Sequence, residues 1–331
     1  MYGSRSGRAV TGLAGAAALL LSGCSSDDGE KLPEIAQQPR ETARYWVNPE
    51  GNAPRQIASY REDGEDAKAK LIERIAGQPV AEWIGTDNTE EQTRRLTEGA
   101  AKADRDALLV LYNIPHRDCG QFSKGGAADG DTYREWVDKV AEGIGDRRAT
   151  VILEPDAVLH LVDNCTPREY HEERYRLLRG AIERLKRQPG TTVYLDAGNP
   201  GWSQPRALHD SLWRAGIEKA DGFSVNVSNF YPTAASAEYG KRLSQWVGDK
   251  PFVIDTSRNG NGRYTGGDPA ENWCNPPGRA LGETPTVKTG DPLVDAYLWI
   301  KRPGESDGDC KGGPKAGDWW PEYALGLAGG R

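Results

Sequence analysis

Two carboxylates flank a proline in Leu153-Glu154-Pro155-Asp156, directly behind the β-type run Thr150, Val151, Ile152, Leu153. Barrels of alternating strands and helices place catalytic side chains where strands end. Acids delivered there serve as proton donors, proton acceptors or nucleophiles. The pattern recurs: Leu108 to Ile114 leads to Asp118, Val193 to Leu195 leads to Asp196, and Phe252 to Ile254 leads to Asp255. Several acids at strand tips point to carboxylate chemistry on one rim. The plainer reading of Asp156 taken alone is a loop aspartate that caps a following helix.

Positioning these acids requires strands and helices in alternation. Apolar runs fall near Tyr45 to Val47, Val80 to Ile84, Leu108 to Ile114, Thr150 to Leu153, Thr192 to Leu195, Phe223 to Val227, Phe252 to Ile254 and Ala296 to Ile300. Amphipathic segments such as Tyr133 to Ile144, Glu169 to Leu185 and Ser236 to Val247 lie between many of them. That alternation predicts βα units with parallel strands. Thr166, Pro167 and Glu169 read as a capping box with proline at the first helical position. Tyr175, Leu178, Ile182 and Leu185 then share a face, and Gln188-Pro189-Gly190 ends the helix. Trp136, Trp213 and Trp246 fall in helical patterns and read as core. The stretch Asn259 to Gly290, rich in Gly, Asn and Pro, reads as loop at the functional rim.

The whole chain of 331 residues suits one barrel-sized domain, and neither a repeat nor a second domain emerges. Its net charge of −7 argues against a nucleic-acid partner. Four histidines leave little material for a His-rich metal site, and neither metal nor cofactor is expected. A monomer is expected.

The N-terminus reads as a targeting segment. Arg5 and Arg8 precede the apolar run Ala9 to Leu21, which is too short to span a bilayer. Leu21-Ser22-Gly23-Cys24 resembles a bacterial lipobox, with Cys24 lipidated and anchored to the membrane. An ordinary cleaved signal followed by a stray cysteine is the alternative. The expected division is therefore a leader over 1–23, a flexible polar tether over 24–43 and the catalytic domain over 44–331. Loss of the two leader arginines would carry the −7 to about −9. An exported chain with five cysteines has one to spare. Lipidation of Cys24 leaves Cys119, Cys165, Cys274 and Cys310, for which an oxidising compartment favours disulfides. Four cysteines allow three pairings, and their long, irregular spacings disfavour a zinc site.

The run Tyr112-Asn113-Ile114-Pro115-His116-Arg117-Asp118-Cys119-Gly120 lies beyond a strand. Together with Leu153-Glu154-Pro155-Asp156, Leu195-Asp196-Ala197-Gly198, Ile254 to Gly260 and Leu298 to Glu305, it resembles glycoside hydrolase family 6 from Tyr45 to Leu327. That family cuts β-1,4-glucan. The resemblance implies a distorted (β/α) barrel, a TIM-like variant with an open cleft, and the disulfides Cys119–Cys165 and Cys274–Cys310. It implies inversion, in which an acid protonates the leaving oxygen while a second group manages the attacking water. Asp156 matches the general acid and Asp118 the neighbour that raises its pKa. Asp307 matches the proposed base, although Asp307-Gly308 is also a common turn pair. Asp196 matches a further cleft acid that positions or acts electrostatically. Tyr112 matches a tyrosine that distorts the reacting sugar, and Lys301 and Glu305 match residues that bind sugar hydroxyls. Trp83, Trp202 and Trp273 match aromatic platforms, where the apolar faces of sugars stack.

Two departures fall near the cleavage point. Family members carry serine where this chain has Lys124, in Gln121-Phe122-Ser123-Lys124-Gly125-Gly126. A cation there would hold the Asp118 carboxylate ionised; alternatively Ser123 takes the serine's place. The family string Asp-Ala-Gly-His reads Asp196-Ala197-Gly198-Asn199, which removes a cleft histidine. The leading expectation is an endo-acting β-1,4-glucanase on cellulose. The alternatives are the same fold acting on another β-glucan, or a weakly catalytic glucan-binding surface lipoprotein.

Overall fold

The computed structural model describes residues 44–330; the expected leader, Cys24 and the tether lie outside the described residues. Seven strands form a sheet: β1 (Glu82–Trp83), β2 (Ala107–Leu111), β3 (Ala149–Leu153), β4 (Thr191–Asp196), β5 (Gly222–Val225), β6 (Phe252–Asp255) and β7 (Val294–Leu298). Their spatial order follows the chain and every neighbouring pair is parallel. The helices are α1 (Asn52–Glu62), α2 (Asp66–Ala76), α3 (Thr89–Lys102), α4 (Gly130–Ile144), α5 (Leu159–Val162), α6 (His171–Leu185), α7 (Pro205–Ala215), α8 (Thr233–Ser244) and α9 (Pro321–Gly329). The sheet curls until its two edges meet at one parallel bridge, Val80 to Trp299. This is the expected distorted barrel.

Strand periodicity explains how one sheet serves two cores. Leu108 and Val110 of β2 join Ile152, Val253, Ala296 and Leu298 inside the curl. The alternate residues Leu109 and Leu111 join Val151, Leu153 and the helices outside. Because both faces are covered, the parallel strands read as continuous apolar runs.

Three local expectations are corrected. The run from Tyr45 to Val47 makes only one bridge, to Asp106, because the chain turns at once through Pro49 and Glu50. Asn48 Oδ1 closes that turn by accepting from the Glu50 N–H at 2.9 Å. The Thr166 capping box does not form. The Thr166 N–H donates back to the His160 carbonyl at 2.9 Å, its hydroxyl is buried without a partner, and Pro167 is extended. A 3₁₀ turn (Arg168–Tyr170) then leads into α6. Trp136 is core as expected, but Trp213 and Trp246 are 39% and 42% exposed. Leu208, Ser211, Leu212 and Ala215 already fill the buried side of α7, and Trp246 lies beyond the end of α8.

The two disulfides pair as the resemblance implies. Cys119–Cys165 ties the loop after β2 to the segment after β3, and Cys274–Cys310 ties the long 259–290 loop to the segment after β7. Both bridges lie near strand C-termini, where the chain has least regular structure to hold it.

Candidate active site

The rim at the strand C-termini is built from residues in unusual backbone states. Asp118, Cys119, Glu154, Asp156, Asn226 and Ser228 all have positive φ. Left-handed residues other than glycine are uncommon and persist where surrounding structure enforces them. Here the enforcement comes from buried carboxylates that bind backbone amides. Glu154 accepts from the N–H groups of Asn113 and Ile114, each at 3.0 Å, and so fixes the loop that leads to Asp118. Burial pushes its pKa up to about 7. Asp255 accepts from Ser228, Ser257, Ile300 and Lys301 N–H groups, joining three rim segments. These two strand-tip acids are therefore structural staples.

Asp156 and Asp118 instead face a cleft of about 810 Å³. Asp156 is half-buried, and no described residue donates to its carboxyl. Its pKa is raised well above the ordinary range by burial, then by the negative charges of Asp196, Asp118 and Asp163. Asp196 lies wholly buried behind it. One Asp196 oxygen accepts from the Asp156 and Gly198 N–H groups at 3.0 and 3.1 Å, and the other accepts from Ser224 Oγ at 3.1 Å. Burial raises Asp196 to about 6.

Asp118 accepts from the Ser123 N–H at 2.6 Å, which curls the following loop back over it. Burial raises its pKa, while that hydrogen bond and the Arg117 charge oppose the rise. Arg117 rather than Lys124 is thus the cation that acts on Asp118. The Arg117 guanidinium also donates to the Ser123 carbonyl at 2.8 Å and to the Tyr112 carbonyl, and it lies 4.8 Å from the centre of the Tyr112 ring. Lys124 is exposed at the cleft margin, with Ser123 beside it.

Asp307 occupies the opposite electrostatic environment. Its Oδ2 accepts from Arg258 Nη1 at 2.9 Å and from the Asn275 N–H at 3.0 Å, and Lys301 Nζ lies 3.5 Å from Oδ1. Burial pushes this carboxyl up, but the Arg258 and Lys301 charges outweigh it and hold the pKa below the usual range. Glu305 accepts from Asn52 Nδ2 and Arg302 Nη1, both at 3.0 Å, and Arg302 reaches Glu82 at 2.9 Å. Asp307, Lys301 and Glu305 all line the cleft.

Three tryptophans line the cleft, each with its indole N–H tied to the protein. Trp83 donates to the Ile300 carbonyl and meets Tyr112 edge-on at 5.6 Å. Trp202 donates to Asp163 Oδ2, and Trp273 donates to the Ala270 carbonyl, each at 2.9 Å. Trp273 also packs against Phe122 of the Asp118 loop, with ring centres 5.9 Å apart. Asn199 lines the wall too, with its Oδ1 bound to the Gly201 N–H at 3.0 Å.

Sequence reasoning missed Arg258 and Asn275, which hold Asp307, and His160 and Asp163, which flank Trp202. Each lies in a loop or short helix with no periodic signal. Cys119, His160 and Cys165 place ligand atoms within 4.8 Å of one another, but both sulfurs are committed to the disulfide.

A family model described as Glycosyl hydrolases family 6 matches residues 40–330. Endoglucanase A of Cellulomonas fimi is 43% identical over 296 residues, covering 88% of this chain and 62% of that protein, so the chain spans less than two thirds of that relative. Endoglucanase 1 of Streptomyces halstedii is 40% identical over 295 residues, covering 86% of this chain and 88% of that one. Among solved structures, the endoglucanase Cel6 from Mycobacterium tuberculosis, in complex with methyl-cellobiosyl-4-deoxy-4-thio-β-D-cellobioside, superposes with a TM-score of 0.80. It is 41% identical, covering 89% of this chain and 98% of that one.

Proposed function

The chain belongs to glycosyl hydrolase family 6, and from that premise we propose that it is an inverting, endo-acting β-1,4-glucanase. The observation that carries the reading is the split between two cleft carboxyls. Asp156 is pushed toward its protonated form, whereas Asp307 is held ionised by Arg258 and Lys301. Pairs of acids whose environments push their pKa values apart are the usual basis for acid and base assignments. Endo action draws support from relatives named endoglucanases at 43% and 40% identity.

In this mechanism Asp156 protonates the glycosidic oxygen as the bond breaks. Asp118 and Asp196 keep the proton on Asp156 until then, because each adds a nearby negative charge. Asp307 orients and activates the water on the opposite face of the sugar. Tyr112, packed between Arg117 and Trp83, presses on the reacting ring. Lys301 and Glu305 hold hydroxyls on that side, and Trp83, Trp202 and Trp273 carry the apolar faces of neighbouring sugars. Lys124 and Asn199 tune the cleft margin and the wall.

The same reading places the enzyme outside the cytoplasm, anchored by lipid at Cys24. The Leu21-Ser22-Gly23-Cys24 string supports this, as do two disulfides, which persist in oxidising compartments. A panel of β-1,4-, β-1,3- and mixed-linked glucans, with products sized over time, tests the function. Early release of mixed-length products from soluble cellulose is expected. Cleavage of another linkage alone, or binding without cleavage, would overturn the assignment.

A further inference from the structure

The short helix α5 carries a histidine for which the mechanism above has no use. His160 stands one turn beyond Asp156, with its backbone N–H donating to the Asp156 carbonyl at 2.9 Å. Its side chain is only 5% exposed, yet it borders the cleft. No described residue hydrogen-bonds to either ring nitrogen. Buried polar groups almost always find a partner, so an imidazole left without one at the wall of a cleft is placed to receive one from a ligand.

Its neighbours define what that ligand is. The imidazole meets the Trp202 indole at 5.2 Å between ring centres, with planes 64° apart. Asp163 fixes the indole from the other side. Its Oδ2 accepts from Trp202 Nε1 at 2.9 Å while its Oδ1 accepts from the Cys165 N–H at 2.8 Å. The Cys119–Cys165 disulfide then ties this segment to the Asp118 loop. Asn199, on the adjoining turn, spends its Oδ1 on Gly201. The wall beside Trp202 thus offers an apolar platform with the uncommitted imidazole of His160 against it. Burial holds the imidazole's pKa down at about 4, so at neutral pH it has one donor and one acceptor nitrogen. A sugar hydroxyl beside a stacked ring needs that pairing of donor and acceptor.

We propose that His160 hydrogen-bonds a sugar hydroxyl of the glucose unit stacked on Trp202, completing a subsite whose platform is held by Asp163. The proposal rests on the glucanase reading for the identity of the sugar, but not for the existence of the contact. It assigns His160 a binding role and leaves proton transfer to Asp156.

The test combines cellobiose titration by calorimetry with steady-state kinetics on cello-oligosaccharides, using the wild type, His160→Ala and His160→Gln. Glutamine keeps a donor and an acceptor near the same place, while alanine removes both. Loss of one neutral hydrogen bond from a buried group should weaken cellobiose roughly tenfold in His160→Ala. The glutamine variant should recover most of that affinity, and the kinetic loss should fall on KM more than on kcat. Equal cellobiose affinity in all three proteins would overturn the inference, as would equal loss in both variants, which would mark His160 as packing alone. If cellobiose binding falls as expected but no β-glucan is cleaved by the wild type, the glucanase reading fails and the sugar contact stands.

Discussion

Replacing Arg258 with methionine isolates what keeps Asp307 ionised. Arg258 is fully buried, donates to Asp307 at 2.9 Å and to the Ser228 carbonyl at 2.6 Å, and lies 4.4 Å from the centre of the Phe230 ring. Methionine preserves most of the volume and removes the charge. Taking about 4 Å between charge centres and an effective dielectric of about 20, the pair is worth roughly 4 kcal/mol. That corresponds to about a thousandfold in the proton affinity of Asp307. Lys301 remains at 3.5 Å and offsets part of the loss, so the acid limb of kcat/KM should move up by about one to two pH units. Stability should fall by about 3 kcal/mol or more, because removing one partner leaves a buried charge uncompensated. The pH dependence of stability reverses as well. In the wild type the lowered pKa of Asp307 gives stability that is present above the unfolded carboxyl pKa and lost as pH falls through the folded one. In the variant burial dominates, so stability is lost as pH rises from the unfolded pKa toward the raised folded one. Guanidinium unfolding at acid and neutral pH, with pH–rate profiles on soluble cellulose, reads both effects. Arg258→Lys, which retains a charge, should lie between the two. A folded methionine variant whose acid limb coincides with that of the wild type would refute the role given to Asp307.

Asp156→Asn should abolish reducing-end release from soluble cellulose while sparing cellobiose affinity; residual activity near the wild-type level would remove Asp156 from the acid role. The anomer formed first from a cello-oligosaccharide, followed by NMR, should be α, and a β product would exclude inversion. Asp196→Asn withdraws a negative charge that raises Asp156, so the basic limb of kcat should move to lower pH, and an unmoved limb would leave Asp196 a purely structural role. Changing Cys274 and Cys310 together to serine opens a bridge across a separation of 36 residues and should cost up to about 4 kcal/mol in chemical denaturation. Activity should fall with it, because Asn275, next in sequence, binds Asp307; full activity would show that the bridge does not position the base.

Strand tips were legible because parallel strands covered on both faces read as apolar runs, and the acids follow immediately. Asp118, Asp156 and Asp307 were singled out together only through the family resemblance that their short motifs carry, since Asp307-Gly308 alone reads as a turn pair. What the acids do once the chain folds was less legible. Glu154 and Asp156 are two residues apart, yet Glu154 binds the amides of Asn113 and Ile114 while Asp156 faces the cleft. That division depends on a loop some forty positions away, which periodicity does not describe. Arg258 and Asn275 were missed for the same reason: they reach Asp307 from positions 49 and 32 residues distant. The failed capping box at Thr166 illustrates tertiary override. A disulfide at Cys165 and a backbone bond to His160 claim the residues that local preference would have used.

The rim drives the acidities of Asp156 and Asp307 apart by controlling what donates to each carboxyl. Asp307 receives a guanidinium, a backbone N–H and a nearby ammonium, and together these outweigh burial and keep it ionised. Asp156 receives none, so burial acts on it unopposed, and Asp196 behind it adds repulsion. Asp196 is itself kept from rising as far by the donors it does receive, from Asp156 N–H, Gly198 N–H and Ser224 Oγ. The Asp156 backbone thereby steadies the carboxylate that lifts the Asp156 side chain. Exchanging donors between the two sites, rather than exchanging the acids, should be what exchanges their roles.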